Sequence, residues 1–273
     1  ELILSGIVGT VIIDIDVLFT RLSDKNPRYY IFTHGGFTHS IAGSSLVAFL
    51  AAGTAIGIMG IASPAGTIPG FSSWLLIVIV FLIGAWLHVG MDFLACPGVP
   101  LFYPFTDRKF TLGIFAGPNL FIMAGTVVFT IALLTGIVDL SGFFPYGVFF
   151  LSVIAAGILL KLYVKVTWKG HAIPTMNPNR WLLIYENEGS YTVRFRKLFG
   201  TEHSKEFIFQ KYHGIQPAEI NPYKKVPEVK RLRYHSFLMT VEKNENSIIF
   251  RDPVREAGII WYPPGFKSLV ILG

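Results

Sequence analysis

Apolar residues fall in five long windows: Leu2 to about Phe19, about Phe37 to Ile61, about Phe71 to Leu94, about Thr111 to Val138, and about Phe143 to Val166. A helix crossing the hydrocarbon core needs about 20 mostly apolar residues, so the pattern predicts five transmembrane helices. Pro64, Pro69, Pro97, Pro100, Pro104 and Pro145 lie between the windows or at their edges, where helix breakers belong. From Lys169 onward the pattern changes to short alternating runs. Arg180 to Glu186 and Ser190 to Phe199 flank Asn187-Glu188-Gly189 and predict a β-hairpin. Further strands are expected over Glu206 to Lys211, Arg233 to Lys243, Ser247 to Arg251, Gly258 to Tyr262 and Lys267 to Leu272, with Asn244-Glu245-Asn246 joining the middle pair. The expected fold is a membrane α-helical bundle over residues 1–168, followed by a small mostly-β cytoplasmic domain over 169–273.

Composition agrees with that division. A chain of 273 residues that is 52% hydrophobic and 15% charged is too apolar for an ordinary soluble domain. It starts at Glu1 directly inside an apolar run, so the first span is expected to be truncated. The single cysteine, Cys96, excludes an internal disulfide framework.

Charge sets the expected orientation. Arg21, Lys25 and Arg28 lie in the first loop and Arg108 and Lys109 in the third, the second and fourth loops hold no basic residue, and the rest run from Lys161 onward. With five spans, all 23 lysines and arginines fall on one side, which the positive-inside rule makes cytoplasmic. The expected location is therefore the inner (plasma) membrane, multi-pass, with the C-terminal domain in the cytoplasm. The net charge of +6 fits attraction to anionic lipid, so the bilayer is the expected partner and no nucleic acid is. The run Lys224-Lys225 and Lys230-Arg231-Arg233 reads as a solvated face, with lipid headgroups as the second reading.

Six polar residues in the membrane portion need a reason to be there. Asp14 and Asp16 sit near the end of the first span, His34 and His39 at the start of the second, and His88 and Asp92 near the end of the third. Given the direction of each span, all six approach the same cytoplasmic end. His88 and Asp92, four apart, share a helix face. Asp14 and Asp16, two apart, do not share one on a regular helix, so either the helix unwinds there or one carboxylate stands behind the other. Gly35-Gly36 lets the backbone turn between the histidines, with Thr38 or Ser40 placed to cap the next helix or to orient ligands. Three imidazoles and three carboxylates form a mixed nitrogen and oxygen donor set. It suits a divalent metal, zinc first with manganese or iron as alternatives, as one ion or two.

His34-Gly35-Gly36-Phe37-Thr38-His39-Ser40 resembles the H-R-G-x-T-H-S motif of the YdjM-like family, described as membrane-bound, metal-dependent hydrolases and, for one member, as LexA-binding. Ile13-Asp14-Ile15-Asp16 resembles its P-D-I-D-H element, with Ile13 and Val17 in place of the proline and the histidine. His88-Val89-Gly90-Met91-Asp92, then Pro97-Gly98-Val99-Pro100-Leu101 and Tyr103-Pro104, is similar to its H-x-x-x-D…G-V-P-L-x-x-P stretch. Gly35 stands where the family has arginine, removing a phosphate-binding guanidinium. The tail resembles the soluble extension of one subgroup, in which Asn177-Pro178 and Trp181 precede a strand.

Two classes of function compete with the hydrolase that this resemblance implies. In a hydrolase, an unligated carboxylate, Asp14 or Asp16, would serve as general base for a metal-activated water acting on a lipid or lipid-linked phosphoester. A metal-ion transporter would place its ionisable groups near the bilayer midplane with access from both sides, rather than at one end. A non-catalytic scaffold would use a closed structural metal while the C-terminal domain recruits a protein partner. No Gly-x-Ser-x-Gly is present, which argues against a serine hydrolase.

Overall fold

A computed structural model describes residues 2–62, 70–200, 205–260 and 268–272. The chain divides into two compact units. One comprises Glu1–Phe93, Gly98–Phe110 and Lys211–Gly273, the other Leu94–Pro97 and Thr111–Gln210. The second-loop prolines, Pro64 and Pro69, lie outside the described residues.

The first unit opens with α1 (Leu2–Val11), tightens into a 3-10 helix over Ile12–Phe19, and continues as α2 (Thr20–Lys25). Two long helices follow, α3 (Ile41–Ala62) and α4 (Phe71–Leu94). Ile13, Ala48, Ala52, Ile77, Phe81 and Ala85 form the buried core between them. Small residues let the first span and α4 come close. A Cβ built on Gly84 would lie 2.5 Å from the Gly6 carbonyl oxygen, and one on Gly9 would lie 2.6 Å from that of Phe81. Such contact between small residues is how membrane helices gain packing energy where lipid removes the hydrophobic driving force. One turn beyond the crossing, Thr10 leads to Asp14 and Gly84 leads to His88, so the crossing aims both side chains at one place.

The second unit contains α5 (Leu120–Leu134) and α6 (Phe143–Thr167). The N-terminus of α5 is capped by Asn119, whose Oδ1 accepts from Phe121 N and Ile122 N at 3.0 Å each. Asp139 caps the short turn that leads into α6, accepting from Ser141 N at 2.8 Å and fixing it as a helix-end residue. β1 (His171–Pro174), β2 (Arg180–Glu186), β3 (Ser190–Lys197) and β4 (Phe207–Gln210) then form an antiparallel sheet in chain order. Glu186 pairs with Tyr191 across Asn187-Glu188-Gly189, the predicted hairpin. Val164 and Trp168 at the end of α6 pack with Ala172, Trp181 and Leu183 of this sheet.

The last part of the chain rejoins the first unit. A 3-10 helix over Pro217–Lys225 and α7 (Pro227–His235) precede a second sheet. That sheet orders β5 (Tyr212–His213), β6 (Thr240–Asn244), β7 (Ser247–Arg251) and β8 (Ser268–Leu272), with the short α8 (Pro253–Glu256) before β8. β5 runs parallel to β6 and the other pairs are antiparallel. Val229 and Leu232 of α7 share a buried core with Val241, Ile248 and Phe250.

Among the described residues, four helical stretches are long and apolar enough to span a bilayer: Leu2–Lys25, Ile41–Ile61, Phe71–Leu94 and Leu140–Thr167. With two small sheets after them, the chain is a membrane helical protein with a β-rich C-terminal region. The fourth apolar window holds only the 15-residue α5, because Gly113, Pro118 and the capping Asn119 keep its first residues out of the helix. The strand expected over Arg233 to Lys243 begins only at Thr240. Pro227 at the first helical turn, Glu228 beside it, and buried Val229 and Leu232 three apart make the preceding stretch a helix instead. Of Gly258 to Tyr262, the described residues form a turn after α8, with Gly258 at φ +67°, and the last two lie outside the described residues, as does Lys267.

Candidate metal centre

The turn before α3 is built by its own sequence. Gly35 has φ +72°, a conformation that glycine adopts without steric cost. Phe37 N closes the turn on the Ile31 carbonyl at 2.8 Å. Ser40 then caps α3: its Oγ accepts from Gly43 N at 2.9 Å and donates to the Phe37 carbonyl at 2.7 Å. The Ser40 hydroxyl is thereby committed to the helix start, and Thr38 is the hydroxyl that reaches the polar cluster.

The 3-10 segment resolves the spacing of the two aspartates. At about 100° per residue, an α-helix sets positions two apart about 160° from each other; at about 120° per residue, a 3-10 helix reduces this to about 120°. Asp14 and Asp16 therefore both turn toward the histidines, at different depths. The side chain of Asp16 is 2% exposed and that of Asp14 is 43% exposed.

His39 is the hub. Its side chain is fully buried. On one side, Nδ1 lies 3.0 Å from Asp16 Oδ2, which also accepts from Thr38 Oγ1 at 2.7 Å and from Gly35 N at 3.2 Å. On the other side, Nε2 lies 3.4 Å from Asp14 Oδ1, 3.2 Å from Asp92 Oδ2 and 3.3 Å from His88 Nε2. His88 Nε2 is 3.4 Å from Asp14 Oδ1 and 3.5 Å from Asp92 Oδ2. His34 stands further out, half exposed, with Nδ1 3.0 Å from Asp16 Oδ1 and 3.7 Å from Asp14 Oδ1. The Asp16 carboxylate raises the His34 pKa above its ordinary 6.5, against the opposing effect of burial.

Among the described residues, two sets of three donors stand close enough to hold a cation: Asp14, His39 and His88, and Asp16, His34 and His39. The three separations within the first, 3.3 to 3.4 Å, match the edge of a tetrahedron with ligand bonds of about 2.0–2.1 Å, which is about 3.3–3.4 Å. Asp92 Oδ2 stands beside this set, 3.2 Å from His39 Nε2 and 3.5 Å from His88 Nε2. Asp14 Oδ1 is buried and has no hydrogen-bond partner, an arrangement costly without a cation. Two carboxylates also balance a divalent charge. These residues fit a metal ion. Both sets draw on His39, and one ring serving two ions would lose both ring protons, so the sets are alternatives. In the first, Asp16 and Thr38 orient His39 from behind, as carboxylates commonly do for metal-binding histidines.

The structure thus gathers Asp14, Asp16, His34, Thr38, His39, His88 and Asp92 at one locus and sets Ser40 at the helix cap. Sequence reasoning passed over three contributors. Tyr234 donates to the Gly35 carbonyl at 3.2 Å, Arg231 donates to the Ser23 carbonyl at 2.8 Å, and Asp107 accepts the Tyr30 hydroxyl at 2.6 Å. Arg231 lies in a run that the sequence presents as a solvated face, and only the chain's return to the first unit brings Arg231 and Tyr234 here.

Fold and cluster together define a multi-pass membrane protein with an aspartate–histidine centre able to hold a metal. Residues 1–170 match the family described as YdjM inner membrane protein, and the chain belongs to that family. No curated protein and no solved structure matches the chain.

Proposed function

We propose that this protein is a metal-dependent hydrolase working where the membrane meets the cytoplasm, on a lipid or lipid-linked phosphoester. The observation that carries the reading is the convergence of His39 Nε2 and His88 Nε2, 3.3 Å apart, on Asp14 Oδ1, 3.4 Å from each and without a hydrogen-bond partner. Asp14, His39 and His88 would hold one divalent ion, zinc first, with manganese or iron as alternatives, leaving a fourth position for water beside Asp92. Bound there, the ion supplies Lewis acidity and lowers the pKa of a coordinated water. Three protein ligands leave the open position that a catalytic site requires, and the 43% and 41% exposure of Asp14 and Asp92 gives it access from one side.

Asp16 holds His39 with Nε2 turned inward. The Asp16 carboxylate is engaged by His34, Gly35, Thr38 and His39, and Asp14 is a ligand, which leaves the half-exposed Asp92 carboxylate beside them as general base. His34, half exposed and holding its proton to higher pH beside Asp16, is suited to protonate a leaving group. His39 stands at the start of α3 and His88 and Asp92 in the last two turns of α4, a depth suited to a substrate whose headgroup enters while its tail stays among lipids.

Orientation belongs to the same proposal. Tyr234 and Arg231 contact Gly35 and Ser23, so the tail lies on the side of the first loop, and the basic residues of both make that side cytoplasmic. Four crossings must then separate loop and tail, which counts the 15-residue α5 with α3, α4 and α6. At about 22 Å it is shorter than the hydrocarbon core of about 30 Å, a mismatch that local thinning accommodates.

Incubating the full-length protein with extracted membrane lipids, zinc-loaded and EDTA-treated in parallel, and comparing products by mass spectrometry tests the activity. A product formed only with metal is expected. Identical product profiles across the lipid classes would overturn it.

A further inference from the structure

The backbone of Gly35 is held at both ends. Its N–H donates to Asp16 Oδ2 at 3.2 Å, and its carbonyl accepts from Tyr234 Oη at 3.2 Å. The same Asp16 oxygen stands 3.0 Å from His39 Nδ1. A chain of contacts therefore runs from Tyr234 through the two peptide groups that flank the Gly35 Cα and through Asp16 to the imidazole at the hub of the cluster.

Tyr234 is placed firmly. Its ring meets Tyr30 edge-on, with centroids 5.5 Å apart, and Lys109 Nζ sits 4.2 Å from its centroid. Arg231, three residues earlier and on the same face of α7, binds the Ser23 carbonyl near the end of α2, where helix carbonyls lack partners. Val229 and Leu232 anchor α7 in the core of the second sheet. So α7 is fixed in one core while it grips the loop and helix end that carry the polar cluster.

We propose that Tyr234 is a positioning residue of the metal centre, fixing the His34-Gly35-Gly36 turn so that Asp16 holds His39 with Nε2 inward. The C-terminal region then completes a site whose ligands all lie within residues 1–170, the stretch matched by the family. This inference rests on reading the cluster as a metal centre.

Tyr234→Phe in the full-length protein removes the hydroxyl and keeps the ring. Zinc affinity, read by competition with a chromophoric chelator, is expected to weaken by about three- to tenfold, the range for loss of one hydrogen bond that acts through a supporting residue. The visible absorption of the cobalt-substituted protein should shift, and amide exchange over residues 32–40 in EDTA should quicken severalfold. Tyr30→Phe deletes a hydroxyl bound to Asp107 and leaves the Tyr234–Gly35 bond, so it should bind zinc as wild type does. Unchanged affinity and exchange in Tyr234→Phe, or equal losses in both variants, would overturn the role of Tyr234. A wild-type protein that takes up no metal would overturn the hydrolase reading instead, and the exchange measurement in EDTA would still decide whether Tyr234 fixes the loop.

Discussion

His39 presents its two ring nitrogens to two different carboxylates: Nδ1 lies 3.0 Å from Asp16 Oδ2 and Nε2 lies 3.4 Å from Asp14 Oδ1. Buried Asp16 faces Nδ1, and half-exposed Asp14 shares the opposite edge with His88 and Asp92. One imidazole thus stands between two carboxylates, one buried and one half exposed, and the proposed metal centre gives these two aspartates different roles.

Removing ligands and removing support should differ in kind. His39→Ala and His88→Ala are expected to leave purified protein without stoichiometric metal by elemental analysis. Asp16→Asn keeps the ligands and should weaken binding by about 10- to 100-fold, as loss of a carboxylate behind a metal-binding histidine commonly does. Full metal content in His39→Ala would sink the centre as drawn.

The hydroxyls of Thr38 and Ser40 should separate in the same way. Ser40→Ala removes the cap of α3 and is expected to destabilise by about 1 kcal/mol while leaving metal content intact. Thr38→Val removes the 2.7 Å bond to Asp16 and should weaken zinc binding with little change in melting temperature. Chelator competition and thermal melts on both variants check the split.

The crossing of the first span with α4 should be intolerant of bulk. Gly84→Val places atoms against the Gly6 carbonyl and Thr10, and is expected to cost about 1–3 kcal/mol and to lower metal affinity by displacing Asp14 from His88. Gly90→Ala on the same helix meets no atom within 4 Å and should be neutral. Equal behaviour of the two would remove the crossing from the account.

His34 should titrate above 6.5 in EDTA-treated protein, because Asp16 stabilises its charged form. A raised pKa in the folded state means that its contribution to stability is complete below 6.5 and is lost as pH rises through the folded value. NMR of isotope-labelled histidine in detergent should report the midpoint, and Asp16→Asn should return it toward 6.5. A midpoint at or below 6.5 in the wild type would contradict the Asp16–His34 contact.

The sequence alone carried the membrane class, because burying apolar side chains in lipid leaves long windows such as Phe71 to Leu94 that composition reveals directly. It also carried the cluster, since a charge or imidazole within such a window is costly enough to need a partner, and His88 and Asp92 announce a shared face by their spacing. The hairpin at Asn187-Glu188-Gly189 was legible from local turn chemistry. The division of labour between Asp14 and Asp16 was not, because it depends on a 3-10 segment set by packing of the first span against α3 and α4. Nor was α7, where Arg233 and Tyr234 read locally as a strand until Pro227, Val229 and Leu232 met a hydrophobic core. Tyr234 on Gly35 spans 199 positions of chain, and no local pattern encodes a contact that exists only once two cores have folded and met.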